Sequence, residues 1–513
     1  MGPLSPLVLD ARPLALEDVE RVARERREVA LAPAAIERLA AGRAFVDRLA
    51  AGAEPIYGIT TGVGKLKDVV IPPAQRAALQ RNLVLSHAGG VGAPLAEAET
   101  RAVLLLLAAS LARGASGVRP VVVEALIACL NRAVHPVVPE AGSLGSSGDL
   151  APLAHIAACL IGEGEAWSGG RRVPARVALT AAGMAPLILE TKEGLALLNG
   201  THLMAGLGTL AALDALRLAR LADVAGAMSL EALMGSNAAF DPRIHALRPH
   251  PGQRAVAANL VRLTAGSGII ESHRDCARVQ DAYSLRCMPQ VHGSAREAIG
   301  FARGVLEREL GAVTDNPLVF PADGAVLSGG NFHGEVLGLA LDTLVIGLAQ
   351  LAGVSERRSD RLVNPLTNEG LPPFLARTGG VNSGYMIAQY TAAALVGELK
   401  TLAHPASVDS IPTSGLQEDY NAMGTGAALK GRRAIGLARQ ALAIEALLAA
   451  QALDQRAPLS PGLGSRAARN AVRARIAPLG DDRYLKADLD AALALAEDGG
   501  VVAAAEAAVG PLE

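Results

Sequence analysis

The chain has 513 residues, enough for a large buried core and for more than one structural region. Half of the residues are hydrophobic, yet only 3% are aromatic, and Ala and Leu outweigh the β-branched and aromatic strand formers, so a mainly α protein is expected. A formal net charge of -2 leaves no basic surplus to neutralise phosphates, which argues against nucleic acid and anionic membrane as partners.

In chain order, the first stretch, MGPLSPLVLDARPL, lacks the basic start and apolar core of a secretory signal, and a soluble cytoplasmic protein is expected. Residues 1–202 alternate helical patterns such as ETRAVLLLLAASLARG (99–114) with loops rich in Gly and Pro, AEPIYGITTGVGKLKDVVIPP (53–73) and VHPVVPEAGSLGSSGD (134–149). Cys129, Cys159, Cys276 and Cys287 occur singly, without a C-x-x-C pair, and read as buried apolar residues of a reducing compartment. From 203 to 513 the character changes to long Ala/Leu-rich segments at 203–233, 330–355, 384–403 and 425–454, whose helical spacing and length predict a bundle core. The expected organisation is therefore a smaller loop-rich N-terminal region, 1–202, and a long-helix bundle with a C-terminal helical region, 203–513. The greasiest window, VLGLALDTLVIGLAQLAGV (336–354), is interrupted by Asp342 and Gln350 and reads as a buried bundle helix, not a membrane span. Helices apolar on most faces need partners on several sides, which points to a homo-oligomer. With no H-E-x-x-H spacing and no nucleotide loop, neither a metal nor a nucleotide is expected.

The stretch GSLGSSGDLAPLAH (142–155) stands apart. A nucleophile elbow centred on Ser147 fails because residue 149 is Asp, and a phosphate loop fails for want of a Lys. One remaining reading is a Gly/Ser turn with Asp149 as N-cap of the following helix and Pro152 in its first turn. Another uses the backbone itself. The unhindered amide nitrogen of Gly148 attacks the carbonyl carbon of Ser146, water leaves as a five-membered ring closes, and dehydration of Ser147 leaves an exocyclic methylene. Glycine permits the bend, and strain of this kind belongs at functional sites.

This stretch resembles the motif that forms 4-methylideneimidazol-5-one (MIO) in the histidine and aromatic amino acid ammonia-lyases. Those usually read Ala-Ser-Gly where this chain has Ser146-Ser147-Gly148. YGITTGVGKL (57–66) is similar to the family's tyrosine loop, with Thr60 and Val63 in place of Asn and Phe. QRNLVLSHAGGVG, EGLALLNGTH, VQDAYSLRCMPQVHG, TDNPLVF, SGGNFHGE, GLPPFL with NSGYMIAQYTAAAL, and TLAHPASVDSIPTSGLQEDYNAMG follow in family order, from about residue 55 to about 455. The resemblance implies that Tyr57 removes the β-proton, that Arg286 clamps the substrate carboxylate with Tyr283 near the amino group, and that Asn199 and Gln280 hydrogen-bond the prosthetic group or substrate. It also implies that Phe332 packs near the MIO ring and that the enzyme is a homotetramer whose active sites each draw on three chains. A bland alternative exists for each: a turn tyrosine, a surface arginine, a helix-start asparagine, a core phenylalanine.

Two markers bear on the substrate. Ser86-His87 is the pair that accompanies histidine lyases in this family, and His87 can hydrogen-bond an imidazole nitrogen. Glu418, in Gln417-Glu418-Asp419, suits an NH-donating imidazole, whereas a phenyl ring would leave the carboxylate buried without a partner. Both point to L-histidine, with trans-urocanate and ammonia as products. Three residues depart from the histidine-lyase pattern: Tyr420, His202 and Met288. Rival readings are a lyase or 2,3-aminomutase acting on another histidine-like or aromatic amino acid, and a non-catalytic homologue in which the triplet never cyclises.

Overall fold

The computed structural model describes residues 5–513; the first four residues of the N-terminal stretch read above lie outside the described residues. Among the described residues the chain is mainly helical, and its strands form only two- and three-stranded sheets. The long helices His202–Ala232, Glu335–Val363, Met386–Leu402 and Gly424–Asp454 fall close to the spans read from the apolar periodicity. The chain divides into two compact units, each discontinuous in sequence. The first comprises the chain up to Leu213, Ala302–Asp342 and Pro405–Gly431; the second comprises Asp214–Phe301, Thr343–His404 and Arg432–Glu513.

Six helices of the first unit matter here: α1 (Pro33–Ala51), α2 (Arg76–His87), α3 (Glu97–Leu111), α4 (Leu150–Leu160), α5 (Glu193–Leu198) and the first turns of α6 (His202–Ala232). Helix α3 is buried without a break from Thr100 to Ala108, as a helix apolar on every face must be. Its one buried cation, Arg101, donates to the Val22 carbonyl at 3.0 and 2.9 Å and to the Leu130 carbonyl at 2.9 Å. Both carbonyls lie in last turns of helices, Leu16–Arg24 and Pro120–Asn131, where such groups lack intrahelical partners. Helices α2, α4 and α5 pack on one another and carry residues of the site.

Asp149 occupies the N-cap position of α4, but its carboxylate makes no capping bond there. One oxygen instead accepts from the Leu203 and Met204 amides, at 2.9 and 3.0 Å, in the first turn of α6, and the other takes the Thr425 hydroxyl at 2.8 Å. The side chain thus staples the start of α6, some fifty residues on, where unpaired N–H groups and the helix dipole favour an acceptor.

In the second unit Leu463–Arg475 packs against Gly500–Val509. A buried network joins Arg358 to Glu445 at 2.5 Å and His292 to Asp223 at 2.7 Å, and Arg358 also donates to the Ser284 carbonyl at 3.4 Å. Of the thiols, Cys129 and Cys159 are buried as expected, while Cys276 is exposed and Cys287 half-buried. Glu335–Val363 is the one helix among the described residues long and apolar enough to cross a membrane, but 61% of its most apolar window is buried inside the protein. Asp342, within that helix, is buried and lies 2.8 Å from Lys430. This is the environment of a core helix.

Burial pushes the Asp149 carboxyl up from 3.8 to about 6, against the lowering effect of the Met204 amide, the Thr425 hydroxyl and the Leu203 amide. The stability this shift contributes is full below about pH 3.8 and is lost as pH rises through about 6, on the order of 3 kcal/mol in all. Asp149→Asn cannot ionise. Its urea-unfolding midpoint should therefore vary less between about pH 4 and pH 7 than that of the parent, and an equal slope in the two proteins would refute the assignment.

Candidate active site

Tyr57 is set by the residues beside it. Ile59 is buried with Phe45 and Val46 of α1 and with Val319 of the hairpin Leu318–Leu327, and Ile56 packs against the same cluster. Between them Gly58 has φ +66°, and a Cβ there would stand 2.4 Å from a methyl of Leu195, so the turn requires glycine. The Thr60 hydroxyl closes the loop, accepting from the Ile56 amide and donating to the Glu54 carbonyl, both at 2.7 Å. With its neighbours anchored, Tyr57 turns toward a cavity, and its phenolic oxygen accepts from the Gly64 amide at 3.2 Å.

The triplet is bent by contact with a second loop. Gly148 has φ +69° and bridges to Gly200; a Cβ on Gly148 would come within 2.3 Å of the Gly200 nitrogen, and the Asp149 amide donates to the Gly200 carbonyl at 2.8 Å. No other residue fits this position. The serines on either side of the Ser146–Ser147 bond face opposite ways. Ser146 is buried, its hydroxyl accepting from the Ala422 amide at 2.8 Å. Ser147 lines the cavity and donates to Glu418 at 2.9 Å.

Asn199 precedes Gly200. Its amide nitrogen donates to the Asn316 carbonyl at 3.3 Å, while its amide oxygen is buried without a partner and the residue lines the cavity. A left-handed glycine under backbone contact and a serine side chain at the cavity fit a ring formed from residues 146–148. His202, a departure from the family pattern, lies behind this floor: its Cε1 would stand 2.3 Å from a Cβ on Gly200. Both its ring nitrogens lack partners, and burial pushes its ionisation down to about 4, so the imidazole is neutral.

The cavity measures about 600 Å³ and is lined by residues of the first unit. Tyr57, His87, Ser147, Asn199, Phe332 and Glu418 meet there, from six separate segments of the chain. His87 is the last residue of α2, with Nδ1 2.8 Å from the Leu83 carbonyl. A carbonyl only accepts, so Nδ1 carries a hydrogen, and in the neutral ring Nε2 is the acceptor. Glu418 holds Thr413 with its second oxygen at 2.8 Å.

Gln280, Tyr283 and Arg286 belong to the second unit and are absent from this lining. Tyr283 and Arg286 share a single helical turn, as their spacing suggests, with the guanidinium 4.8 Å above the phenol ring. Tyr283 is 72% exposed, and Arg286 Nε is buried without a partner. Met288 is a fully buried core residue of the second unit. Tyr420 is exposed, outside the lining, and stacks on His333 with ring centroids 6.4 Å apart.

Sequence reasoning passed over several lining residues, among them Lys65, Asn82, Asn316 and Ser414. Asn82 had a signal: Leu79, Asn82, Leu83 and Ser86 follow the three- and four-residue spacing of one helix face, the face that α2 turns to the cavity. Asn316 had none, since its contribution is a backbone carbonyl.

The family model for aromatic amino acid lyases matches residues 14–474. The histidine ammonia-lyase of Myxococcus xanthus is 53% identical over 502 residues, covering 98% of this chain and 99% of that protein. That of Anaeromyxobacter sp. strain K is 55% identical over 507 residues, covering 97% and 100%. Among solved structures, the histidine ammonia-lyase from Trypanosoma cruzi aligns with a TM-score of 0.91 at 41% identity, covering 98% of this chain and 96% of that one. The tyrosine aminomutase from Streptomyces globisporus aligns with 0.94 at 38% identity, covering 99% and 100%. A match that takes in most of the chain, with relatives more than half identical along nearly its whole length, makes this protein a member of the aromatic amino acid lyase family.

Proposed function

We infer that this chain is a carbon–nitrogen lyase that eliminates ammonia from L-histidine to give trans-urocanate, with MIO formed from Ser146, Ser147 and Gly148. The observation that carries the reading is the meeting of His87 and Glu418 with Ser147 and Tyr57 in one cavity. The histidine ammonia-lyases among its relatives support it. The cyclised triplet would supply an electrophilic methylene that activates the substrate toward loss of ammonia. Tyr57 takes the β-proton on its phenolic oxygen. His87 presents Nε2 as acceptor and Glu418 a carboxylate, acceptors that the N–H of an imidazole can use and that a phenyl ring leaves unpaired. Glu418 gains its free oxygen when the Ser147 hydroxyl, its partner in the uncyclised chain, leaves as water. Leu83, Leu195 and Leu198 give the cavity an apolar wall against which the substrate can pack.

The working form is a cytoplasmic homotetramer in which other copies of the chain bring Gln280, Tyr283 and Arg286 to each cavity. What supports this is the exposed tyrosine with a guanidinium above it, a pair suited to gripping a carboxylate and an amine held by another copy. The likeness to a tyrosine aminomutase favours one second reading, in which ammonia is returned to the β-carbon. A β-amino acid product would identify it.

Purified protein with L-histidine should develop the ultraviolet band of urocanate and none of the corresponding product bands with L-tyrosine or L-phenylalanine. Its intact mass should be lower by two waters, and Ser147→Ala should lack both the dehydration and the activity; full mass in the parent chain would rule out the prosthetic group. Glu418→Gln should mature normally but lose roughly 10–100-fold in kcat/KM for histidine, the cost of one hydrogen bond to a charged group. Parental kinetics in that variant would remove Glu418 from the substrate site.

A further inference from the structure

Helix α5 is only six residues long, and both of its ends are fastened to the same short segment. Ahead of it stands Lys192, whose ammonium meets the Asp315 carboxylate at 2.5 Å with both side chains essentially out of water. Behind it stands Asn199, whose amide nitrogen meets the carbonyl of the next residue, Asn316, at 3.3 Å. Asp315 and Asn316 are themselves locked, because the second Asp315 oxygen accepts the Asn316 amide at 2.7 Å and the Asn316 side chain accepts the Gly329 amide at 2.8 Å.

Lysine is an improbable residue for position 192 on local grounds. Its backbone is left-handed at φ +75°, a region that side chains avoid; it precedes a helix N-terminus, where a cation is unfavourable; and it is fully buried. Three local penalties at a residue one short helix away from the cavity floor call for a compensating role. The geometry of Asn199 supplies it. Since the Asn316 carbonyl can only accept, the amide must turn its nitrogen there, and its oxygen is left as the unpartnered acceptor.

We propose that the Lys192–Asp315 ion pair is a positioning device for the site: by clamping α5 to residues 315 and 316 it fixes Asn199 at the cavity wall with its oxygen unpartnered and holds Gly200 against Gly148. The unpartnered Asn199 oxygen is then an acceptor for an N–H of the substrate amine. This rests on the reading of the cavity given above.

The test is the double variant Lys192→Met with Asp315→Asn, which removes both buried charges together and keeps an acceptor for the Asn316 amide. Far-UV circular dichroism reports the fold, intact mass the share of chains lighter by two waters, and histidine kinetics kcat and KM. The expected result is a folded protein with a reduced share of matured chains and kcat lowered roughly 10–100-fold in the matured fraction, as for a group displaced by about 1 Å. KM should stay within about threefold, because His87, Glu418 and Arg286 lie off α5. A folded variant with parental maturation and parental kcat overturns the proposal, whatever its KM. If the double variant does not fold, Asp315→Asn alone is scored by the same measures; failure of both to fold assigns the pair to stability and also overturns it. The mass readout needs no substrate, so it judges the clamp even if histidine is not what the enzyme consumes.

Discussion

The close approach of the Gly148 and Gly200 backbones is the constraint on which the site depends. No Cβ fits on Gly148, so neither loop can be displaced by a side chain, and the two are held in register by the Asp149 amide on the Gly200 carbonyl. From that contact the rest is laid out by adjacency. Asp149 follows Gly148 and reaches the start of α6; Asn199 precedes Gly200 and reaches Asn316; Ser147 precedes Gly148 and faces Glu418. A single steric fact places a serine, an asparagine and a carboxylate around one cavity.

Buried polar groups do the fastening. Arg101 ties two helix ends to α3, Asp149 ties the triplet to α6, and the Ser146 hydroxyl ties it to Ala422. Each such group loses its water and recovers hydrogen bonds only in one arrangement of the chain, so together they select that arrangement more sharply than apolar packing alone would. The serine at the first triplet position has a physical account in these terms: its hydroxyl takes a backbone amide that an alanine would leave without this partner.

Much of this was legible in the sequence, for reasons that also mark where reading stopped. The long helices follow from apolar residues on helical spacing, a local property. Tyr57, His87, Ser147, Asn199, Phe332 and Glu418 came from motifs, and the cavity gathers all six. What escaped was non-local. Asp149 has the sequence context of an N-cap and the backbone position of one, yet its carboxylate serves a helix that begins at residue 202. The two compact units each draw on three stretches of the chain, and no composition shift announces a segment such as Pro405–Gly431 that rejoins the stretch ending at Leu213. Gln280, Tyr283 and Arg286 show the same limit from another side, since spacing puts Tyr283 and Arg286 on one turn without saying which cavity they serve.

The distance along the chain between the triplet and its partners bears on when the proposed ring can form. Glu418 and Ala422 follow Ser147 and Ser146 by 271 and 276 residues. At about 5–20 residues per second, the ribosome needs on the order of tens of seconds to deliver them after the triplet has emerged. Until then the hydroxyls of Ser147 and Ser146 lack the partners that hold them. For a triplet that cyclises as proposed, closure in the folded site waits for residues 271 and 276 positions further along the chain, and until they arrive the thiols and amines of the surroundings meet unreacted serines.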